Sequence, residues 1–278
     1  MSEPYFPELD EFYDRFCRAV QGSGLEARFL EKWGLDSLSA GHDMLQNNVQ
    51  GGYDSHRQTM LAAATGGSVL NIGPGLGFCV FLLTELFDSV LVAEPDGENC
   101  ALLERIAAFY ETRKGRCAGD IVEIFHAGLS ITPEAVNYWN TKQALLHKRN
   151  RTGSILNFTI DGAKELMGML EKKASRIYLH KVLSSLTIST TFENVISQCR
   201  DFLGSNGEIT WSEPEYIFND ILNMDGHREI HTVLESLFGR NNLNVKVQDY
   251  QVANGGSRPA LEENWTLVKA WRSSDGAK

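Results

Sequence analysis

The segment that most constrains the fold covers residues 69–77 and reads VLNIGPGLG. An apolar run that ends in closely spaced glycines is typical of a buried strand that turns sharply into a helix. Glycines in such a turn let a ligand approach the backbone, and the following helix presents unpaired N–H groups and the positive end of its dipole. The segment therefore predicts a strand, a ligand-binding turn and a helix in succession.

A second apolar run, residues 90–93, ends in an acidic residue, and this Glu94 lies 21 residues after Gly73. An acid at the end of the second strand of such a fold accepts hydrogen bonds from ribose hydroxyls. The two runs together predict a site for an adenosine-type cofactor. The glycines follow the pattern G-x-G-x-G, and Phe78 occupies the position where a dinucleotide-binding loop has its third glycine. A nicotinamide oxidoreductase is the alternative that this spacing disfavours.

At these residues the chain resembles the class I S-adenosylmethionine-dependent methyltransferases, whose loop has the shorter glycine spacing and whose second strand ends in a ribose-binding acid. Gly73, Gly75, Gly77 and Glu94 match that pattern, and Asn71 departs from it because the family often has an acid there. The resemblance implies S-adenosyl-L-methionine as the cofactor. Its predicted binding residues are Asn71, Gly73, Pro74, Gly75, Gly77, Glu94, Pro95, Asp161, Gly162, Ala163 and His180.

Helical and strand periodicities alternate along the chain, which is typical of an α/β fold built from βαβ units. We expect a Rossmann-like, seven-stranded, mostly parallel sheet, and residues 244–252 and 265–271 predict the antiparallel terminal hairpin that is usual for methyltransferases. Residues 1–66 predict an N-terminal helical cap or lid, and residues 67–278 the methyltransferase core.

Two segments compete for the third strand, residues 120–126 and residues 154–158. The second is our prediction, because it and the turn after it look more like the family's third strand. Asp161 would then reach the adenine amino group, or cap the following helix. On this placement residues 115–151 form a helical insertion that covers a substrate or pairs two subunits.

Residues 175–183 predict the fourth strand, which runs out into a loop that the resemblance places near the transferred methyl group, and this segment contains His180. His180 is a catalytic candidate because imidazole titrates near neutral pH, and a structural histidine bonded to backbone is the alternative. Tyr53, from the polar stretch before the core, is the second catalytic candidate. The candidate substrate-binding residues are Glu26, His56, Lys181, Ser184, Trp211 and Glu213, with surface or packing roles as the alternative.

The two ends of the chain are similar to the histamine N-methyltransferase-like group, in which an acid of the N-terminal helices binds the substrate amine. Glu26 is the residue that matches this acid. The resemblance implies methylation of a small molecule, most readily an amine or amino-acid-like natural product, because an amine nucleophile only has to arrive neutral. The alternatives are an O-methyltransferase of a small metabolite, or an S-adenosylmethionine-binding protein with a regulatory or non-methylating role in biosynthesis.

The composition disfavours several other classes. The chain has 36 acidic and 26 basic residues and a net charge of −10, so we expect no nucleic-acid partner. Five widely spaced cysteines without a C-x-x-C motif predict reduced thiols, and no metal site is expected. No stretch has the length and hydropathy of a membrane span. We therefore expect a cytoplasmic enzyme, monomer or homodimer, whose partner is a small-molecule substrate.

Overall fold

The computed structural model describes residues 6–46, 52–62, 66–75, 77–128, 164–165, 174–180, 182, 189–222, 227–252 and 263–272. The helices of these ranges are α1 (Leu9–Ser23), α2 (Glu26–Trp33), α3 (Leu38–Gln46), α4 (Tyr53–Ala62), α5 (Phe78–Leu86), α6 (Gly97–Ala107), α7 (Ser189–Phe202), α8 (Glu215–Leu222) and α9 (His227–Arg240). The strands are β1 (Ser68–Ile72), β2 (Ser89–Glu94), β3 (Val122–Gly128), β4 (Lys164–Glu165), β5 (Ala174–His180), β6 (Leu203–Pro214), β7 (Leu243–Val252) and β8 (Glu263–Arg272). None of the described helices has the length and hydropathy needed to cross a membrane.

The strands form one sheet in the order β4-β3-β2-β1-β5-β6-β8-β7. All pairs from β4 to β6 are parallel, whereas β8 runs antiparallel to both β6 and β7. The predicted Rossmann-like fold with an antiparallel terminal hairpin is confirmed, and β4 adds a two-residue strand at one edge. The chain moves outward from β1 to β4 and returns to place β5 on the other side of β1. This reversal creates a crevice at the carboxyl ends of β1 and β5, where ligands bind in open α/β sheets.

The third strand is Val122–Gly128, and the prediction that residues 154–158 form it was wrong. It pairs in parallel with β2, so that His126 lies opposite Glu94. Most of its residues are only half-buried, and among the described residues only the two-residue β4 pairs with β3 on its outer side. A strand in such a position carries a weak apolar pattern. Residues 122–128 therefore belong to the sheet and not to an insertion, while residues 129–151 of the predicted helical insertion and residues 154–158 lie outside the described residues.

The N-terminal helices share an apolar core with the first helix of the α/β unit. The helix α5 is buried at every position, as expected for a helix whose residues are apolar except for Thr84 and Glu85. The Phe16 ring of α1 packs against Phe78 and Phe81 of α5, with centroid distances of 4.9 and 5.5 Å, and against Phe29 of α2 at 5.6 Å. A second apolar cluster, on the other face of the sheet, contains side chains of α7, α8 and α9.

Candidate functional site

The turn after β1 has a left-handed backbone at each of its three glycines. Gly73, Gly75 and Gly77 have φ angles of 65°, 57° and 81°, which L side chains rarely adopt. The Gly73 N–H donates a hydrogen bond of 3.0 Å to the Ala93 carbonyl, which ties the turn to the end of β2. A Cβ atom at Gly75 would meet no atom within 4 Å. The backbone at Gly75 is therefore bare and open to a ligand.

Gly77 has a different reason to be glycine. It is the N-cap residue of α5, and its carbonyl accepts a hydrogen bond of 3.0 Å from the Val80 N–H. A Cβ atom there would overlap Cδ2 of Leu103 in α6. Gly77 thus lets α6 pack closely against the start of α5, and close packing rather than ligand approach explains its identity.

The carboxyl group of Glu94 is buried at the end of β2, where the residue is only 1% exposed. Burial raises the pKa of Glu94 to about 7, although its Oε1 atom accepts a hydrogen bond of 2.9 Å from the Asp96 N–H. Ionisation at neutral pH is costly for a desolvated carboxyl unless further donors surround it. A ligand with hydroxyl groups would supply such donors. Pro95 follows directly, and its carbonyl lies 3.1 Å from Nε2 of His126.

The loop that follows Glu94 is joined to the N-terminal helices by ion pairs. Asp96 caps α6 through hydrogen bonds from the N–H groups of Glu98 and Asn99. Its other oxygen lies 2.7 Å from Nζ of Lys32 in α2, and Lys32 also lies 3.2 Å from Glu98. Arg28, one turn earlier in α2, pairs with Glu98 at 3.0 Å. We call these four charged residues, Arg28, Lys32, Asp96 and Glu98, the latch.

The latch was not predicted from the sequence. The signals are present, because Arg28 and Lys32 are four residues apart on one helix and the acids alternate along residues 94–98. What the sequence lacks is the docking of α2 on this loop. That docking is set by the aromatic packing between the N-terminal helices and α5.

Asn71 serves as an internal connector. Its Nδ2 atom donates a hydrogen bond of 3.3 Å to the Tyr178 carbonyl, and its Oδ1 atom accepts one of 3.3 Å from Sγ of Cys79. The amide therefore joins β1 to β5 and α5. A carboxylate has no donor for the first of these bonds, so the amide suits this arrangement better than the acid that the family often has here.

His180 and His56 were predicted separately, and the structure brings them together. Their rings stack with a centroid distance of 3.9 Å and an interplanar angle of 25°. The Trp265 ring lies 5.2 Å from that of His180, and the Tyr178 hydroxyl lies 2.9 Å from Nδ1 of His56. Burial lowers the pKa of His56 to about 3, so this ring is neutral at physiological pH. We call His56, Tyr178, His180 and Trp265 the aromatic stack.

The aromatic stack lies near the glycine turn in space, although most of its residues are distant from the turn along the chain. His180 is the last residue of β5, the strand next to β1. Two residues further on, Cγ2 of Val182 lies 4.0 Å from the position that a Cβ atom of Gly73 would take. The end of β5 therefore meets the turn at the crevice between β1 and β5.

Trp211 and Glu213 lie on the opposite face of the sheet from His180. Ser212 is paired with His180 in the parallel register, and side chains alternate along a strand, so the residues on either side of Ser212 point to the other face. There the indole N–H of Trp211 donates a hydrogen bond of 2.9 Å to Glu213, and the Trp211 ring packs against Phe192. These two predicted substrate residues are thus separated from the aromatic stack.

The other candidates fall in three places. Tyr53 is buried, and its ring lies 5.2 Å from Phe6 and 6.4 Å from Phe12 in the aromatic core. Glu26 is the half-buried first residue of α2. Outside the described residues are Asp161, Gly162, Ala163, Lys181 and Ser184. The described part of the chain contains no cluster of three side chains that would hold a metal ion, and the five cysteines are free thiols.

No family model matches the chain, and no curated protein matches it. Similar solved structures include the YcgJ protein from Bacillus subtilis, which is 10% identical with a TM-score of 0.48 over 80% of this chain and 100% of that one. The N-methyltransferase NodS from Bradyrhizobium japonicum WM9 is 12% identical, with a TM-score of 0.46 over 79% of this chain and 96% of NodS. A precorrin-6y C5,15-methyltransferase from Geobacter metallireducens GS-15 is 12% identical, with a TM-score of 0.45 over 79% of this chain and 87% of that enzyme. Because these similarities are weak, the function has to be argued from the residues of the site.

Proposed function

We propose that this protein is an S-adenosylmethionine-dependent methyltransferase that acts on a small molecule, with nitrogen as the preferred acceptor. One observation carries the proposal. The bare, left-handed turn after β1 is bonded to the end of β2, directly before the buried carboxyl of Glu94, at the edge of the sheet where the strand order reverses. The short glycine spacing of the turn suits an adenosine derivative without a phosphate group. The ribose hydroxyls of such a ligand would also supply the donors that the buried Glu94 carboxyl needs.

The residues present fit this cofactor. The open backbone at Gly73 and Gly75 would lie against it, and the start of α5 offers further N–H groups. Glu94 would accept hydrogen bonds from the ribose hydroxyls. These hydroxyls would replace the water molecules that burial excludes from its carboxyl group. Asp161 stays our prediction for the adenine contact.

When bound, the cofactor supplies a sulfonium-activated methyl group that a nucleophile displaces in line with the departing sulfur. The residues of the chain hold and orient the two reactants, an effect worth about 7–11 kcal/mol when the geometry is close to that of attack. His180 accepts the proton that the methylated amine releases. Because His56 is neutral, no fixed positive charge on the neighbouring ring opposes protonation of His180.

The substrate side of the site is proposed from fewer residues. Glu26 is a suitable acid for a substrate amine in the manner of the histamine N-methyltransferase-like group, and His56 borders His180 directly. Trp211 donates a hydrogen bond to Glu213 on the other face of the sheet from His180, so we leave both residues out of the proposed site. Tyr53 belongs to the aromatic core and is also left out as a catalytic group.

The test is transfer of a tritiated methyl group from S-adenosylmethionine to a panel of small amines and a matched panel of phenols and alcohols. We expect transfer to amines, and at least a tenfold rise in the KM for the cofactor in Glu94→Gln. The control is Glu104→Gln, which removes an exposed acid from α6 and should leave KM within twofold. Cofactor binding without transfer to any acceptor would contradict the proposal and favour a regulatory, non-methylating role.

A further inference from the structure

A buried serine lies between a backbone carbonyl and the ring of His180. Ser55, in the first turn of α4, is 0% exposed. Its Oγ atom is 2.8 Å from the Gly52 carbonyl oxygen and 3.0 Å from Nε2 of His180. A serine hydroxyl has one proton to donate, and a carbonyl oxygen can only accept. The Ser55 hydroxyl therefore donates to Gly52 and accepts from His180.

This order of hydrogen bonds decides which nitrogen of His180 carries the proton. In the reverse order Ser55 would donate to Nε2, and two oxygen atoms would face each other at 2.8 Å with no proton between them. We propose that Ser55 holds neutral His180 in the tautomer with a proton on Nε2, so that Nδ1 is the nitrogen that accepts the proton during methyl transfer. Ser55 is then a positioning residue. The role of Nδ1 rests on the proposed function, whereas the tautomer does not.

The aromatic stack fixes the plane of the His180 ring, but it does not determine which edge of the ring faces Ser55. The His56 ring at 3.9 Å and the Trp265 ring at 5.2 Å lie within 26° of parallel to the ring of His180. A rotation of the imidazole by 180° about its Cβ–Cγ bond keeps these stacking contacts. The same rotation puts a ring carbon where Nε2 now faces Ser55. The hydrogen bond to Ser55 favours the orientation in which Nε2 of His180 faces the serine hydroxyl.

The proton balance of the reaction follows from this arrangement. The amine lone pair forms the new N–C bond while the C–S bond breaks, and the electron pair of that bond goes to sulfur. The resulting ammonium group gives one proton to Nδ1 of His180. The imidazolium keeps its Nε2–H on Ser55, whose hydroxyl stays bonded to Gly52, so no proton has to move through the buried α4 side of the ring.

The experiment is two-bond ¹H–¹⁵N correlation NMR on the full chain labelled with ¹⁵N-histidine, without cofactor and above pH 7. The His180 signals are assigned by their loss in His180→Gln. In the wild type we expect the pattern of a protonated Nε2 and an unprotonated Nδ1. In Ser55→Ala we expect the tautomer ratio to fall at least tenfold. The matched control is Ser212→Ala, which removes another buried serine hydroxyl, one that is hydrogen-bonded to the Tyr250 hydroxyl.

The wild-type spectrum alone can overturn the inference, so a Ser55→Ala variant that does not fold leaves the test intact. A protonated Nδ1 in the wild type, or an unchanged ratio in folded Ser55→Ala, contradicts it. Kinetics then test the role of Nδ1: we expect Ser55→Ala to lower kcat about tenfold with the cofactor KM within twofold. An unchanged kcat would overturn the positioning role. The absence of methyl transfer in the wild type would instead overturn the proposed function and leave the tautomer assignment standing.

Discussion

At the scale of single residues, the buried carboxyl of Glu94 couples the candidate cofactor site to stability. Its pKa is raised from 4.5 to about 7 by burial, so the folded chain keeps a proton that the unfolded chain releases between these values. The stability that this proton contributes is fully present below about pH 4.5 and is lost as the pH rises through 7. The ligand-free site is therefore destabilised at alkaline pH.

Replacing Glu94 with glutamine should remove this effect, because a glutamine oxygen can still accept from the Asp96 N–H but has no charge to desolvate. We expect Glu94→Gln to be about 2–3 kcal/mol more stable than the wild type at pH 8 and nearly equal to it at pH 4.5. Urea denaturation at the two pH values measures the difference, with Glu104→Gln as the exposed control. A difference that does not depend on pH would contradict the assignment of the raised pKa.

The glycine turn shows what residue patterns can and cannot predict. The spacing of Gly73, Gly75 and Gly77 was enough to predict a turn after the first strand, because few other patterns place three glycines there. The separate reasons for Gly75, which is bare, and Gly77, which faces Leu103, could not be predicted. They depend on where α6 packs, and that is decided by side chains distant in the sequence.

At the scale of elements, the latch holds α2 against the loop that follows Glu94 and the start of α6. Lys32 is mostly buried between Asp96 and Glu98, whereas the pair of Arg28 with Glu98 is exposed. An exposed ion pair contributes about 0–1 kcal/mol, and a shielded one with short hydrogen bonds contributes more. The two bases of the latch are therefore expected to differ in importance.

We expect Lys32→Met to speed amide hydrogen exchange in α2 about tenfold or more, because it leaves the buried Asp96 without its cation. Arg28→Gln should change exchange less than threefold. Exchange followed by mass spectrometry, with peptides of α2 and of the distant α9 compared, measures both. Equal effects of the two substitutions would contradict the latch as described.

The third strand shows the corresponding limit for elements. Residues 122–128 alternate weakly because β3 lies near the sheet edge, so the more apolar residues 154–158 were preferred in error. The strongly apolar β1 and β2 were placed correctly, since each is buried along much of its length. The terminal hairpin was also placed correctly, although only β8 is largely buried and the side chains of β7 are mostly half-buried or exposed. The position of β3 is set by its pairing with β2, which apolar periodicity does not record.

At the scale of the whole molecule, the sheet divides the predicted site residues between two faces. The sequence was sufficient to place Glu94 at the end of the second strand and His180 near the end of the fourth, where ligands bind in open α/β sheets. It was not sufficient to separate His180 from Trp211, because both lie near strand ends and only the register of β5 with β6 shows which residues share a face. We therefore propose that the reaction takes place on the face of the sheet where α4 contacts His180.

Calorimetric titration with S-adenosylmethionine and with S-adenosylhomocysteine tests the central claim most directly. We expect the wild type to bind both ligands, Glu94→Ala to bind each at least tenfold more weakly, and Glu104→Ala to bind as the wild type does. Unchanged binding in Glu94→Ala would show that the cofactor does not bind at the end of β2. Failure of the folded wild type to bind either ligand would contradict the account as a whole.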